Sequence, residues 1–213
     1  MSLPQMLLAD DLFFVMHDDR TGKPRLHPRA IGLGLAAGLL GELMLFARLT
    51  IRDGVLTVVD DRPPRDAVIH ALLDHVIDEP RPHGLRTWLA FFSQGAGEQV
   101  AKRLERAGYV TRVEPRWPRR SGVRWVPTDM STAAWPAARL RHRLHREEPL
   151  ATPDVVLAGL VDATGLSPQV LWGVNARTLG FRDHLVSLLP AHLRELVAET
   201  RAAVGNAVLT HRA

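Results

Sequence analysis

Apolar positions along this chain recur mostly three and four residues apart, the spacing of one helical face, while strict alternation appears only in short paired runs. Residues 3–16, LPQMLLADDLFFVM, predict a first helix, followed by the polar loop HDDRTGKPRLHP. Residues 31–47, IGLGLAAGLLGELMLFA, are apolar almost throughout. LTIRDGVLTVVD then reads as two strands turning at Asp53-Gly54, a pair suited to the φ > 0 conformations of a tight hairpin. Residues 66–78 place Val68, Ile69, Leu72, Leu73, Val76 and Ile77 on one helical face. Short helices follow in LRTWLAFFS and in EQVAKRLERAG, the latter stopping at Gly108. Residues 109–128 predict a longer hairpin with its tip near Arg119–Gly122, and STAAWPAARLRHRLHREE a basic helix. Further helices are expected over 153–164, over 168–178 behind a Ser167-Pro168 start, and from about Pro190 to Val208. The expected fold is mainly α: a single-domain helical bundle over residues 1–213, with two or three β-hairpins, around the glycine-rich hydrophobic helix.

Three readings compete for residues 31–47. As a membrane span, the stretch between Arg29 and Arg48 reaches about 27 Å, marginal against a hydrocarbon core of about 30 Å. It also carries the carboxylate of Glu42, a costly group in lipid. As a nucleotide-binding turn, Gly32-Leu33-Gly34-Leu35-Ala36-Ala37 fits G-x-G-x-x-A, and Asp53 follows at a suitable distance. The context fails, because PRLHPRA precedes the glycines where a buried parallel strand is needed, and Asp53 belongs to a hairpin. The favoured reading is a helix hydrophobic all round in the middle of a bundle. There Gly34, Gly38 and Gly41 let neighbours approach closely, and Glu42 calls for a buried partner such as an arginine.

Composition narrows the function. The chain has no cysteine, which excludes disulfides and thiolate sites. No basic leader with a small-residue cleavage site is seen at residue 1, so the expected location is cytoplasmic. The net charge of +4 is unevenly spread: residues 101–148 hold twelve Lys/Arg against five Asp/Glu, and such a concentration attracts phosphates. Within it, Trp117, Trp125 and Trp135 lie among Arg116, Arg119, Arg120 and Arg124. Indole rings at headgroup level beside guanidinium groups that meet phosphates suit a membrane interface. A bland alternative makes Trp117 and Trp125 a cross-strand pair and the arginines a solvated face. A second function class is a winged-helix DNA-binding regulator, with Gln99, Lys102, Arg103 and Arg106 on its recognition helix; nucleic acid is the disfavoured partner. His142 and His145 with Glu148 have metal-like spacing, but the surrounding arginines argue for a solvated basic face. His70, Asp74 and His75 lack H-E-x-x-H, and no G-x-S-x-G, P-loop or acid pair is present. No catalytic residue, metal or cofactor is expected.

The order of these segments resembles the Golgi phosphoprotein 3 family, whose bacterial members are common in arginine-rich, high-GC genomes. The matching stretches are LPQMLLADDLFFVMHDDRTGK, GLAAGLLGELMLFARLTI, VIHALLDHVIDEPRPHGLRTWLAFFS, EQVAKRLERAGYV and VRWVPTDMST, covering most of the chain up to about residue 150. The resemblance implies a helical, non-enzymatic module that binds phosphatidylinositol 4-phosphate, adapts membrane-protein tails and faces the membrane with a hairpin. It does not carry the headgroup pocket over: ungapped alignment sets the pocket's tryptophan on His27, one arginine on Ala36 and two basic residues near Gln94 and Gly97. The hairpin does carry over, at residues 113–126. The site residues it nominates for an anionic membrane or phospholipid headgroup are Arg116, Trp117, Arg119, Arg120, Arg124 and Trp125. The module would then be peripheral at the inner face of the membrane, with its oligomeric state left open.

Overall fold

Helix α1 (Leu8–Met16) is buried along its whole length, and α2 (Pro28–Leu45) is buried on every side over residues 30–44. These belong to a computed structural model that describes residues 6–114 and 123–209, with side chains placed up to residue 207. The first helix therefore begins at Leu8 rather than residue 3, residues 1–5 lying outside the described chain. Helix α2 begins earlier than its apolar run. Pro28 occupies the first turn, where its missing N–H costs nothing, and the His27 ring accepts the Arg29 N–H at 3.3 Å.

After α2 the chain turns through β1 (Leu49–Arg52) and β2 (Val55–Val58), which pair antiparallel with Arg52 opposite Val55. Asp53 and Gly54 both take positive φ, 51° and 75°, as the Asp-Gly signal requires. Helix α3 (Ala67–Asp78) is capped by the Asp66 carboxylate, which accepts the Val68 and Ile69 N–H groups. Its inner face is Val68, Ile69, Leu72, Leu73 and Val76; Ile77, expected on that face, is 43% exposed. Helices α4 (Leu85–Phe92) and α5 (Ala96–Arg106) follow. Strands β3 (Val110–Val113) and β4 (Arg124–Pro127) form the second hairpin, and α6 (Met130–His145) carries the basic segment onward.

The C-terminal part departs from expectation. Helix α7 (Thr152–Ala163) is where it should be, but the helix predicted over 168–178 is only α8 (Ser167–Val170), with Leu166 rather than Ser167 as its cap. Gly173, at φ 77°, breaks the chain. Asn175 then accepts the Thr178 N–H and starts α9 (Ala176–Ser187), a helix the apolar pattern did not reveal. Helix α10 (Ala191–Leu209) ends the fold.

Helix α2 packs against α1, α3, α4, α5, α7 and α10. It is the one helix among the described residues long and apolar enough to span a bilayer, yet its surface is covered by protein. Close approach explains its glycines. A Cβ on Gly34 would collide with Met16, one on Gly38 would stand 3.0 Å from the Ala9 Cβ, and one on Gly41 would stand 2.8 Å from Leu8. Glu42 has the arginine partner its burial demands. Arg103 of α5 meets it with both terminal nitrogens at 2.9 Å, and the Ala9 N–H donates to it at 2.7 Å. The same guanidinium donates to Asp10 at 2.8 Å and Asp66 at 3.2 Å. One cation thus ties together α1, α2, α5 and the start of α3. Beside it, Arg139 of α6 bridges Asp11 of α1 and Asp154 of α7 at 2.8 and 2.7 Å.

Candidate functional site

The β3–β4 hairpin meets the bundle over a shallow groove. Its floor is Ile31 and Gly32 at the start of α2, with Phe13 and His17 at the end of α1. One side is Gln94, Gly97 and Glu98, where α4 gives way to α5; the other is Arg112, Val123, Arg124 and Trp125 of the hairpin. The groove consists of two adjoining depressions of about 280 and 320 Å³.

Local sequence explains how the hairpin is held. Gly108 ends α5 and turns the chain into β3, and the Thr128 hydroxyl closes the far end by donating to the Gly108 carbonyl at 2.8 Å. The turn at Gly22 lies so close to the Trp125 carbonyl that no side chain fits there. Trp125 is half-buried and packs against the core, with Arg112 as its cross-strand partner. The alternative in which Trp117 and Trp125 form a cross-strand pair does not hold at Trp125, because the register places an arginine, not an indole, opposite it. Arg124 is half-buried at the groove rim. Arg116, Trp117, Arg119 and Arg120 lie outside the described residues.

The electrostatics of this groove are mixed. Arg112 and Arg124 stand against Glu98, whose carboxylate is held below its ordinary pKa by the hydrogen bond from Lys102 at 2.7 Å. Burial lowers the pKa of His17, whose Nδ1 lies 2.8 Å from the Phe13 carbonyl and whose ring stacks on Phe13; it enters the groove as a neutral imidazole at pH 7. Of the positions aligned with the resembling family's headgroup pocket, Gln94 and Gly97 do line the groove. His27 caps α2 instead, and Ala36 is fully buried. None of the four places a lysine or arginine side chain in the groove.

Two expectations from the basic segment need correction. Arg103, assigned to a DNA-recognition surface, points inward and is consumed by three carboxylates. Trp135, grouped with the hairpin, stands on α6 and is exposed toward a different groove with Trp172. The sequence did contain that signal: Trp135, Ala138, His142 and His145 are spaced three and four apart, one face of a helix. Among the described residues, no group of His, Asp or Glu is arranged to hold a metal ion.

These observations define a class: a mainly helical module built on one buried apolar helix, with a basic hairpin lying over a groove. The family model of Golgi phosphoprotein 3 (GPP34) matches residues 8–210. The chain belongs to that family, and at family level it is a Golgi phosphoprotein-type lipid-binding module, from a family of non-enzymatic adaptors. The match also extends through the segment after residue 150, beyond where the resemblance was legible. A search of curated proteins gave no match.

Proposed function

We propose that this protein is a peripheral module that binds anionic phospholipid headgroups through its β3–β4 hairpin, without catalysis, at the inner face of a membrane. Family membership supports the class, and the observation that carries the site is the hairpin. Strand β3 packs against α5, the turn at Gly22 lies against Trp125 of β4, and the chain between the strands bears Arg116, Trp117, Arg119 and Arg120. Guanidinium groups pair with phosphate oxygens in forked geometry, and the indole suits the headgroup layer. With Gln94 and Gly97 at the groove, general attraction to anionic lipid is the favoured mode over a phosphatidylinositol 4-phosphate pocket. A membrane-protein tail as adapted cargo and self-association belong to the same reading.

Flotation with phosphatidylserine vesicles tests it. Basic residues near an anionic leaflet each contribute about 1 kcal/mol, so replacing Arg116, Arg119 and Arg120 with alanine should weaken binding about a hundredfold. Undiminished flotation of that variant, or no flotation of the wild type, refutes the hairpin as the site. The DNA-binding reading loses support: two of its four expected contacts are engaged, Arg103 in the core and Lys102 with Glu98.

A further inference from the structure

A groove of about 810 Å³ lies between α6 and the chain that joins α8 to α9. Two of its walls are indoles that the core does not use: Trp135 is 44% exposed and Trp172 is 65% exposed. The Arg141 guanidinium lies 4.6 Å from the centre of the Trp172 ring. Arg143, His142 and His145 complete the basic side. The nearby carboxylates, including Glu148 on the groove lining, pair with other arginines. Glu147 is paired with Arg177 at 2.6 Å and Glu148 with Arg146 at 3.6 Å. Neither Arg141 nor Arg143 has a carboxylate partner among the described residues.

We propose that this groove binds a small anionic ligand with a planar ring, of the nucleoside-phosphate class, its ring against Trp172 or Trp135 and its phosphates on Arg141, Arg143 and the two imidazoles. The volume falls in the range of small-molecule sites. The concave shape favours a discrete ligand over a bilayer, which presents a broad surface. An open groove buries a flexible acyl chain poorly, whereas a planar ring needs only one exposed aromatic face. Arg141 already lies over one face of Trp172, 4.6 Å from the ring centre. A ligand ring would therefore stack on the other face of Trp172 or on Trp135, with its phosphate meeting the guanidinium N–H groups in forked geometry. This site shares no residue with the hairpin groove, so it stands or falls independently of the lipid reading.

Calorimetric titration of the full chain tests it, with ADP, with inorganic phosphate and with phosphatidylserine vesicles as separate arms. ADP should bind, inorganic phosphate should bind at least about tenfold more weakly, and Trp172→Ala and Arg141→Gln should each weaken ADP by about tenfold, or about 1.4 kcal/mol. Both side chains are away from the core, and circular dichroism should show the fold unchanged. Vesicle binding should survive Trp172→Ala. No ADP binding, phosphate binding as tight as ADP, or ADP binding undiminished in both variants overturns the proposal. Vesicle binding that is lost with Trp172→Ala also overturns it and hands the groove to the membrane. Failure of the hairpin variant to lose lipid binding leaves the ADP arm untouched.

Discussion

Replacing Glu42 with glutamine should change how stability depends on pH more than it changes stability itself. Burial drives the Glu42 carboxyl up from 4.5 to about 7, against the pull of Arg103 and the Ala9 N–H. Arg103 cannot hold it down further because Asp10 and Asp66 share the same guanidinium. A raised folded-state pKa means that the native state holds a proton the unfolded chain has released. The resulting stability is fully present below 4.5 and is lost as pH rises through about 7. That interval corresponds to about 3 kcal/mol, at about 1.4 kcal/mol per pH unit. Most of it, about 2.5 kcal/mol, falls between about pH 5 and 7.5. Glu42→Gln keeps an acceptor for the Ala9 N–H and has no proton to lose. Urea unfolding of both proteins across that range gives the difference between them, in which the opposing titration of His17, lowered by burial, cancels. The wild type should lose about 2.5 kcal/mol relative to the variant as pH rises. A wild-type stability that stays constant relative to that of the variant, or that rises relative to it with pH, refutes the reasoning.

Three further outcomes are expected. Gly38→Val should lower stability by about 2 kcal/mol or more in thermal unfolding, because its new atoms meet the backbone-borne Ala9 Cβ and Cα at 3.0 and 3.1 Å; an unchanged midpoint would mean that α1 and α2 separate freely. Arg139→Ala should cost about 3 kcal/mol at pH 7.5, since it strands the buried Asp11, itself pushed up to about 6 by burial. It should cost less near pH 5, where Asp11 takes up a proton, and an equal loss at both pH values would refute the assignment. Gly54→Ala should cost about 1 kcal/mol by urea unfolding, through its φ of 75° alone, because nothing lies within 4 Å of the added methyl group.

The parts of the fold legible in the sequence are those where one local rule acts alone. Asp53-Gly54 marks its turn because few residue pairs tolerate two positive φ values. The burial of α2 follows from an all-round apolar surface that carries one carboxylate, and that carboxylate implies an arginine. Which arginine was not legible. Arg103 lies in a basic amphipathic helix and looks like its neighbours Lys102 and Arg106; only the packing of α5 on α2 turns it inward. Helix α9 was hidden for a related reason. Its buried residues are Thr178 and Arg182, so its packing does not register as an apolar stripe. Arg182 is accepted inside by Asp162 at 2.7 Å, a pairing across twenty residues of chain that periodicity does not report. At the hairpin, charge and indoles marked the region, but the division of labour did not show. Trp125 anchors the base, while Trp135 belongs to another surface.

The arrangement around Glu42 explains why an apolar helix keeps a charge at all. Gly34, Gly38 and Gly41 form a nearly smooth seam, and a smooth seam fixes its register weakly, because shifted packings bury similar apolar area. Three carboxylates converging on one planar guanidinium have no such freedom. The bidentate contact to Glu42, the Asp10 contact from α1 and the Asp66 contact at the α3 cap are satisfied together only in one relative placement of the helices. A buried ion cluster is weak evidence for added stability, since replacing such groups with apolar residues is often neutral or favourable. Its contribution here is selection of one packing. On that argument, converting Glu42 and Arg103 together to leucine and methionine, with Asp10 and Asp66 changed to asparagine, should keep the helical circular dichroism. The same variant should broaden the amide spectrum by nuclear magnetic resonance as α2 samples neighbouring registers. A single sharp set of resonances from it would show that the glycine seam fixes the register unaided.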